Sequence, residues 1–532
     1  MQVDLNGKKV KSEKNETILE LAKRNNIKIP TLCYDKDLKT KSRCRLCVVE
    51  VNGELKTSCD TKVKKGMKIK TNTEMVKKSR KITEKLIQER ERRIKKRETN
   101  SPITRDFSKC IVCGNCVDVC QNIQTANAIT ETERGINTEI STPFKENLRE
   151  SSCTFCGQCV YHCDLDAINE RDDTKKVKKL LNKKEKHVLV QTAPSIRASL
   201  GEMFRISPGT LVTGRMVTAL KKLGFDKVFD TDFGADLTTI EETNEFLERL
   251  NKNENIPLFT SCCPAWIKFT EHNYPDLLKN LSTCKSPHMM FGSIAKSHYA
   301  EKEGIKPENI AVVSIMPCTA KKFEIERKEM KINGNKNVDF VLTTRELGRL
   351  LKENKIELKK MKKGKFDKIM GTSTGSAAIY GATGGVAESV LRYASNKLGE
   401  KRKKIKYKNV RGLEGIKKAT VKINNKKIKM AIANGLGNIR KLMEMIKDGK
   451  DFDIVELMAC PGGCIGGGGQ PKSEDEKILE KRSKALYKQD EKMKLKTADE
   501  NPKIKKLYKD FLDKISKEEK HKLLHTKYKK RK

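Results

Sequence analysis

FDIVELMACPGGCIGGGGQP, residues 452–471, starts as an apolar run and ends in a glycine-rich loop that carries Cys460 and Cys464. An apolar run this short, bounded by turn residues, reads as a buried strand. A cysteine-bearing turn at the carboxyl end of such a strand is where open α/β sheets place their sites. The same grammar recurs upstream. HVLVQTAP (187–194), NIAVVSIMP (309–317) and KMAIAN (429–434) alternate with the helical segments TGRMVTALKKLG (213–224) and NIRKLMEMIKD (438–448). From about residue 186 the chain therefore reads as α/β with buried, parallel strands.

Two further stretches belong with the first: TSCCPAW (260–266) and MPCTAKKFE (316–324). Together the three offer Cys262, Cys263, Cys318, Cys460 and Cys464. An iron–sulfur cube needs four thiolates, so one cysteine is left over. Successive side chains of an extended segment point to opposite faces, so Cys262 and Cys263 cannot easily serve the same cube. A surplus thiol beside a cluster and a set of acids suggests a redox site that also moves protons. Gly462, Gly463 and Gly466–Gly469 read as backbone that comes close to a bulky inorganic group.

In front of this region stand more cysteines. CIVCGNCVDVC (110–120) and CTFCGQCVYHC (153–163) share the spacing C-x2-C-x2-C-x3-C, the internal repeat of a two-cluster bacterial ferredoxin. The fourth cysteine of each run ligates the other cluster. One cube then takes Cys110, Cys113, Cys116 and Cys163, and the other Cys153, Cys156, Cys159 and Cys120. Further forward, VDLNGKKVKS reads as a hairpin turning at Asn6-Gly7, and TILELAKRNNIKI as a helix ending at Pro30. Cys33, Cys44, Cys47 and Cys59 follow, with gaps of ten, two and eleven residues. This resembles the 2Fe–2S ferredoxin module of β-grasp fold found at the front of large redox enzymes. A zinc site is the rival, since zinc also accepts four thiolates. Residues 74–98 read as one charged helix, and the Lys-rich tail from 472 as helices that wrap a domain.

Composition bounds the rest. A chain of 532 residues holds several domains. Its 18 cysteines recur as CxxC clusters, which read as metal ligands in a reducing compartment. The formal charge of +43 is spread along the chain. A nucleic-acid patch would be local and richer in Arg and aromatics, so no nucleic-acid partner is expected. The positive field suits an acidic electron carrier. No secretory segment and no run of about 18 apolar residues is visible, so the expectation is a cytoplasmic protein without a membrane span.

Taken in order, TSCCPAW, MPCTAKKFE and ELMACPGGCIGGGGQP resemble the three signature motifs of iron-only (FeFe) hydrogenases, and the modules in front and behind match that family over nearly the full chain. The resemblance implies the following. Cys263, Cys318, Cys460 and Cys464 hold the 4Fe–4S half of the H-cluster, and Cys464 bridges to a diiron half with CO, cyanide and a dithiolate amine, inserted by maturases. Lys321 meets one cyanide, and Pro194 and Ser195 the segment near the other. Met316 and Met458 line the pocket, and Glu324 supports Lys321. Cys262 is the proton-relay thiol, near pKa ~8.5 with modest tuning. Glu242, Ser282 and Glu245 follow it, and Arg249 marks the exit to water. Glu242, Glu245 and Arg249 fall on one face of a helix. His288 stands where glutamine is common, either as a hydrogen-bond donor or as a titratable group.

The implied architecture is multidomain. It has a 2Fe–2S ferredoxin-like domain (1–75), a helical connector (76–100), a two-cluster 4Fe–4S ferredoxin domain (101–178), an α/β H-cluster catalytic domain of two lobes (186–471) and a small-subunit-like C-terminal helical segment (472–532). Ferredoxin is the implied electron partner, with NADH-oxidising subunits of a bifurcating complex as the alternative. A third reading is a hydrogenase-like iron–sulfur assembly protein without the diiron centre. One departure stands out. Long family members carry an extra His/Cys3 cluster, whereas residues 60–109 here contain neither Cys nor His, so the 2Fe–2S centre needs another route inward. Cys284 reads as a lone buried thiol. NGLGNIRKL, GTSTGS and GATGG read as close-packing turns, since none completes a nucleotide fingerprint.

Overall fold

The computed structural model describes residues 1–94, 96–399, 408–423 and 426–531. The chain divides into two compact units: residues 1–122, 127–151 and 162–169 form one, and 123–126, 152–161 and 170–532 the other.

In the first unit a mixed five-stranded sheet joins Gln2–Leu5, Lys8–Lys11, Val48–Val51, Glu54–Thr57 and Lys68–Lys70. The hairpin turns at Asn6 and Gly7, both with positive φ, as an Asn-Gly pair favours. Helix Ile18–Arg24 packs Ile18, Leu21 and Ala22 on Val49, Val51 and Ile69 of the sheet. Thr17 and Glu20 close a capping box at its start. It stops at Asn25, well before Pro30, because the Asn25 side chain donates to the Leu21 carbonyl (2.8 Å) and Asn26 turns left-handed. The charged helix is also shorter than expected. It spans Glu74–Arg93, while Arg97–Glu98 pairs as a strand with Ile103–Asp106; Lys95 lies outside the described residues.

The second unit contains two four-stranded sheets. In the first, Lys227–Asp230, His187–Thr192, Ile310–Met316 and Phe340–Thr343 are all parallel. In the second, Leu258–Phe259, Ile454–Met458 and Lys426–Asn434 are parallel, and Ile416–Ile423 closes the edge as an antiparallel partner. The central strands Ile310–Met316 and Ile454–Met458 are buried throughout, which explains their unbroken apolar texture. Helix Thr231–Lys252, capped by Asp230 and ended by left-handed Asn253, is buried over most of its length. The tail forms helices Ile478–Lys492, Pro502–Leu507 and Lys517–Leu524. Buried Arg482 ties the tail to Glu202 (2.8 Å), and Leu507, Leu512 and Leu524 enter the core. Among the described residues no helix is long and apolar enough to cross a membrane.

Candidate metal centre

Three strand ends meet here. Cys318 follows Ile310–Met316, Cys460 and Cys464 follow Ile454–Met458, and Cys263 precedes helix Pro264–Asn273, with Pro264 at its first turn. Thr260 fastens the third segment to the second, because its N–H donates to the Val455 carbonyl (3.1 Å) and its hydroxyl accepts from Leu457 N–H (3.2 Å). Cys263 Sγ accepts the Ala459 N–H at 3.5 Å. Burial pushes the thiols of Cys263, Cys318, Cys460 and Cys464 up, Cys318 to about 12. Charge on Cys263 and Cys318 adds to the push on Cys460 and Cys464.

The glycine loop also serves packing between protein segments. Gly462 and Gly463 have positive φ (72° and 88°), which only glycine adopts at ease. Gly466–Gly469, however, pack on protein backbone. A β-carbon on Gly467 would stand 2.3 Å from the Pro317 carbonyl oxygen, and one on Gly468 2.4 Å from that of Cys156. Their small size therefore seats the cysteine loops against one another. The three other glycine strings are packing turns too: β-carbons on Gly371, Gly385 and Gly437 would meet backbone carbonyls at 2.2, 1.9 and 2.5 Å.

Cys262 packs against Ala235, Ala377, Tyr380, Val386 and Met458. Burial and the Glu242 charge push its thiol well above the ordinary range, a correction to the modest tuning expected. Cys262, Cys263 and Cys464 are nevertheless only partly buried. Glu242 is fully buried, and neither of its carboxylate oxygens has a hydrogen-bond partner. Burial, then the Glu245 charge, lifts its pKa to about 8. Ser282 donates to Glu245 at 2.9 Å instead of to Glu242. Glu245 also accepts the Thr283 N–H (3.0 Å) and pairs with Arg249. Arg249 in turn holds the carbonyls of Asn280 (3.2 Å) and Leu281 (3.0 Å).

On the other side, Glu324 accepts from Ser286 (2.6 Å) and Lys321 (2.8 Å), and His288 Nε2 lies 2.7 Å away. Burial opposes the Glu324 charge, but Lys321 and His288 outweigh it and hold the pKa at about 2. Burial drives His288 down to about 4, so at neutral pH it is a donor to Glu324 and not a titrating group. Lys321 also donates to the Cys262 carbonyl (3.1 Å). Met316 and Met458 sit buried at their strand ends, and Ser195, beside Pro194, has a fully buried hydroxyl without a partner. Ser286 was missed in the sequence, where no spacing links it to Glu324.

The other cysteines fall into both units. In the first, Cys33 Sγ accepts from Cys44 N–H (3.4 Å), the Cys47 and Cys59 sulfurs are 3.3 Å apart, and Cys110, Cys113 and Cys116 each feel the charge of Cys163. Cys120 accepts the Ala128 N–H (3.3 Å). Ile111 and Cys113 pack on Cys33 and Cys44. Lys41 donates to the Gly114 carbonyl (2.8 Å), and Arg43 to that of Val112 (3.1 Å). In the second unit, Thr319 donates to the Phe155 carbonyl (2.6 Å), Gln158 to that of Gly466 (3.0 Å) and Lys268 to that of Cys153 (2.7 Å). Cys159 belongs to the same segment.

The residues fit the clusters they would hold. Buried thiols raised by one another's charge, as Cys318, Cys460 and Cys464 are, ionise when a metal takes the place of their protons, and four such thiols are the donor set of a cube. The orphan Ser195 hydroxyl supplies a donor that the protein itself leaves unused.

Comparison with known proteins agrees. Residues 186–468 match the family described as iron only hydrogenase large subunit, C-terminal domain, and 476–531 the iron hydrogenase small subunit. Residues 1–74 match a 2Fe-2S iron-sulfur cluster binding domain and 109–167 a 4Fe-4S dicluster domain. The NADP-reducing hydrogenase subunit HndD of Solidesulfovibrio fructosivorans is 42% identical, covering 100% of this chain and 99% of its own. Iron hydrogenase 1 of Clostridium pasteurianum is 39% identical over 99% of both chains. A solved apo FeFe-hydrogenase from Chlamydomonas reinhardtii has a TM-score of 0.60 at 38% identity, over 68% of this chain and 99% of that one. The chain belongs to the iron-only hydrogenase family: it is an oxidoreductase with an H-cluster domain behind 2Fe–2S and 4Fe–4S cluster domains.

Proposed function

We propose that this protein interconverts protons, electrons and H2; Cys263, Cys318, Cys460 and Cys464 would hold the cubane half of the H-cluster, and Cys464 would also hold its diiron half. When bound, the H-cluster supplies the site where two protons and two electrons become H2. Lys321 and the Pro194–Ser195 segment present donors to the diiron ligands, and Met316 and Met458 keep the pocket apolar. Glu324, with His288 and Ser286, fixes Lys321. Cys262 exchanges protons with Glu242, which hands them outward to Ser282 and Glu245, with Arg249 at the mouth. Ser282 bonded to Glu245 leaves the Glu242 side of the path open, so a rotation of the serine hydroxyl is the step that joins the two acids. The observation that carries this reading is Glu242: a buried, unpartnered carboxyl with a pKa of about 8, beside a cysteine that the cube does not need. Buried acids tuned close to the working pH are proton-transfer groups.

On this reading residues 1–75 are the 2Fe–2S module, 76–100 the connector, 101–178 the dicluster module, 186–471 the catalytic domain and 472–532 the small-subunit-like segment. The packing of Ile111 and Cys113 on Cys33 and Cys44 gives electrons a direct step between the first two modules, which makes the His/Cys3 cluster of longer relatives unnecessary. Cys156 and Gly157 against Gly468 give the corresponding step at the rear.

A ferredoxin-like acidic carrier suits the charge of +43. A second reading, an NAD(P)-linked subunit of a larger assembly, is favoured by the end-to-end likeness to the NADP-reducing HndD. Reduced ferredoxin alone drives H2 evolution in the first case; NAD(P)H with partner subunits is required in the second. The function itself is tested by infrared spectroscopy. Protein matured by H-cluster maturases should show metal-bound CO and cyanide bands. Cys262→Ala should keep those bands and its iron while turnover falls ~10²–10⁴-fold, the usual weight of a proton-transfer group. Absent bands in matured protein, or full activity of Cys262→Ala, would refute it.

A further inference from the structure

Cys284 is not alone. Its Sγ lies 3.9 Å from Glu245 Oε2 and 3.9 Å from His525 Nδ1, and one ligand atom of each of the three residues falls within 4.8 Å of the others. The three come from distant parts of the chain. Glu245 stands on helix Thr231–Lys252, Cys284 just before helix Pro287–Ile294, and His525 just after helix Lys517–Leu524. A two-way backbone clasp sets the distance: Thr526 N–H donates to the Thr283 carbonyl (2.7 Å) and Lys285 N–H to that of Leu524 (2.8 Å).

The histidine is also oriented. Its Nε2 faces Glu241 Oε2 at 3.1 Å, and Glu241 is kept ionised, against burial, by His525, Tyr508 and Lys520. With Nε2 turned to this carboxylate, Nδ1 is the ring nitrogen left on the side of Cys284 and the Thr283 hydroxyl. A carboxylate behind the far nitrogen is how metal-ligating histidines are held. His521 stacks on the ring at 5.0 Å and fixes its plane. Cys284 is fully buried, but the Glu245 and His525 side chains are each 13% exposed, which opens a way in. The Glu241 carboxylate behind the ring, held ionised, and the Glu245 carboxylate beside the sulfur favour a cation at this spot.

We propose that Cys284, His525 and Glu245 form a site for a divalent cation of the zinc class, and that filling it arrests proton exit through Glu245. One sulfur, one imidazole nitrogen and one carboxylate oxygen, with a fourth position left for water, is a zinc donor set. Binding forms the Cys284–metal bond and sends the thiol proton to solvent. The Thr283 hydroxyl, now 2.9 Å from His525 Nδ1, gives way to the metal. Glu245 keeps Arg249 and the Thr283 N–H, but an oxygen held by a cation no longer accepts a proton from Ser282. The binding half of this proposal stands by itself, whereas the inhibition half rests on the proton path proposed above.

The test uses matured holoprotein and zinc chloride, with iron content measured before and after. One zinc should bind without loss of iron. Its X-ray absorption should show a single sulfur at ~2.3 Å and nitrogen or oxygen at ~2.0–2.1 Å. Cys284→Ala should lose the sulfur shell, and Glu241→Gln should weaken binding ~10–100-fold, as loss of a ligand-orienting carboxylate does. Zinc should inhibit wild-type turnover reversibly, with a chelator restoring it, and should leave Cys284→Ala at its own metal-free rate. A four-sulfur shell, or a sulfur shell that survives in Cys284→Ala, overturns the site. A filled site with undiminished turnover overturns the arrest of proton exit, and with it Glu245 as the way out.

Discussion

Two buried polar networks flank the Cys262–Cys263 pair, and they are built on opposite plans. Around Glu324 every partner is supplied: Ser286, His288 and Lys321 all reach the carboxylate, and its pKa sits at about 2. Around Glu242 no group completes a hydrogen bond; Ser282 and the Ser261 backbone only temper the effect of burial, and its pKa rises to about 8. Both carboxyls are equally deep, so burial does not separate them; the company each keeps does. A satisfied ionised network holds one shape and suits positioning. An unsatisfied acid gains and loses a proton cheaply near neutrality and suits transfer.

The contrast breaks most visibly at Glu242. Glu242→Gln keeps the shape and removes the proton, so turnover should fall ~10²–10⁴-fold with infrared bands and iron unchanged. If the variant turns over normally, the two networks do not differ in role. Glu324→Gln should instead act on stability. Leaving Lys321 without its buried partner should cost about 3 kcal/mol in thermal or denaturant unfolding.

The pH dependence should sharpen the same contrast, with opposite signs. Glu242 has a raised folded pKa, so its contribution to stability is complete below 4.5 and erodes as pH climbs to about 8. Glu242→Gln should therefore gain on wild type across that window. Proton reduction should also decline as pH rises through about 8, and the variant should lack that limb. The Glu324 carboxylate is depressed, so its contribution is present above 4.5 and disappears as pH falls toward 2. Unfolding curves of wild type and Glu324→Gln should converge in acid. The smallest effect belongs to His288→Gln. His288 is already neutral, so an amide that keeps the bond to Glu324 should change stability by less than about 1 kcal/mol, the size of one hydrogen bond, and leave the pH profile in place.

Much of this was readable in the chain. The spacing of CIVCGNCVDVC and CTFCGQCVYHC points to a dicluster domain directly, because its cysteines are neighbours in sequence. The apolar runs of the strands, the Asn6-Gly7 turn and the i, i+3, i+7 face of Glu242, Glu245 and Arg249 were legible for the same reason. Local errors had local causes. The helix after Thr17 ended at Asn25, where a side chain satisfies the last carbonyls, rather than at the next proline. The helix from Glu74 gave way to a strand whose partner, Ile103–Asp106, was invisible to periodicity.

What the sequence by itself determined is the inventory: how many clusters, which thiols are spaced for them, and that two cysteines, Cys262 and Cys284, are surplus. Only the tertiary structure decided what surrounds each group. It placed Ser286 on Glu324, left Glu242 without a partner, set Gly467 and Gly468 against carbonyls of other loops, and brought His525 to Cys284 across 241 positions of chain. A proton's affinity for its group depends on burial and on the nearest few charges. Those neighbours come from segments far apart in sequence, so no local pattern of residues encodes them.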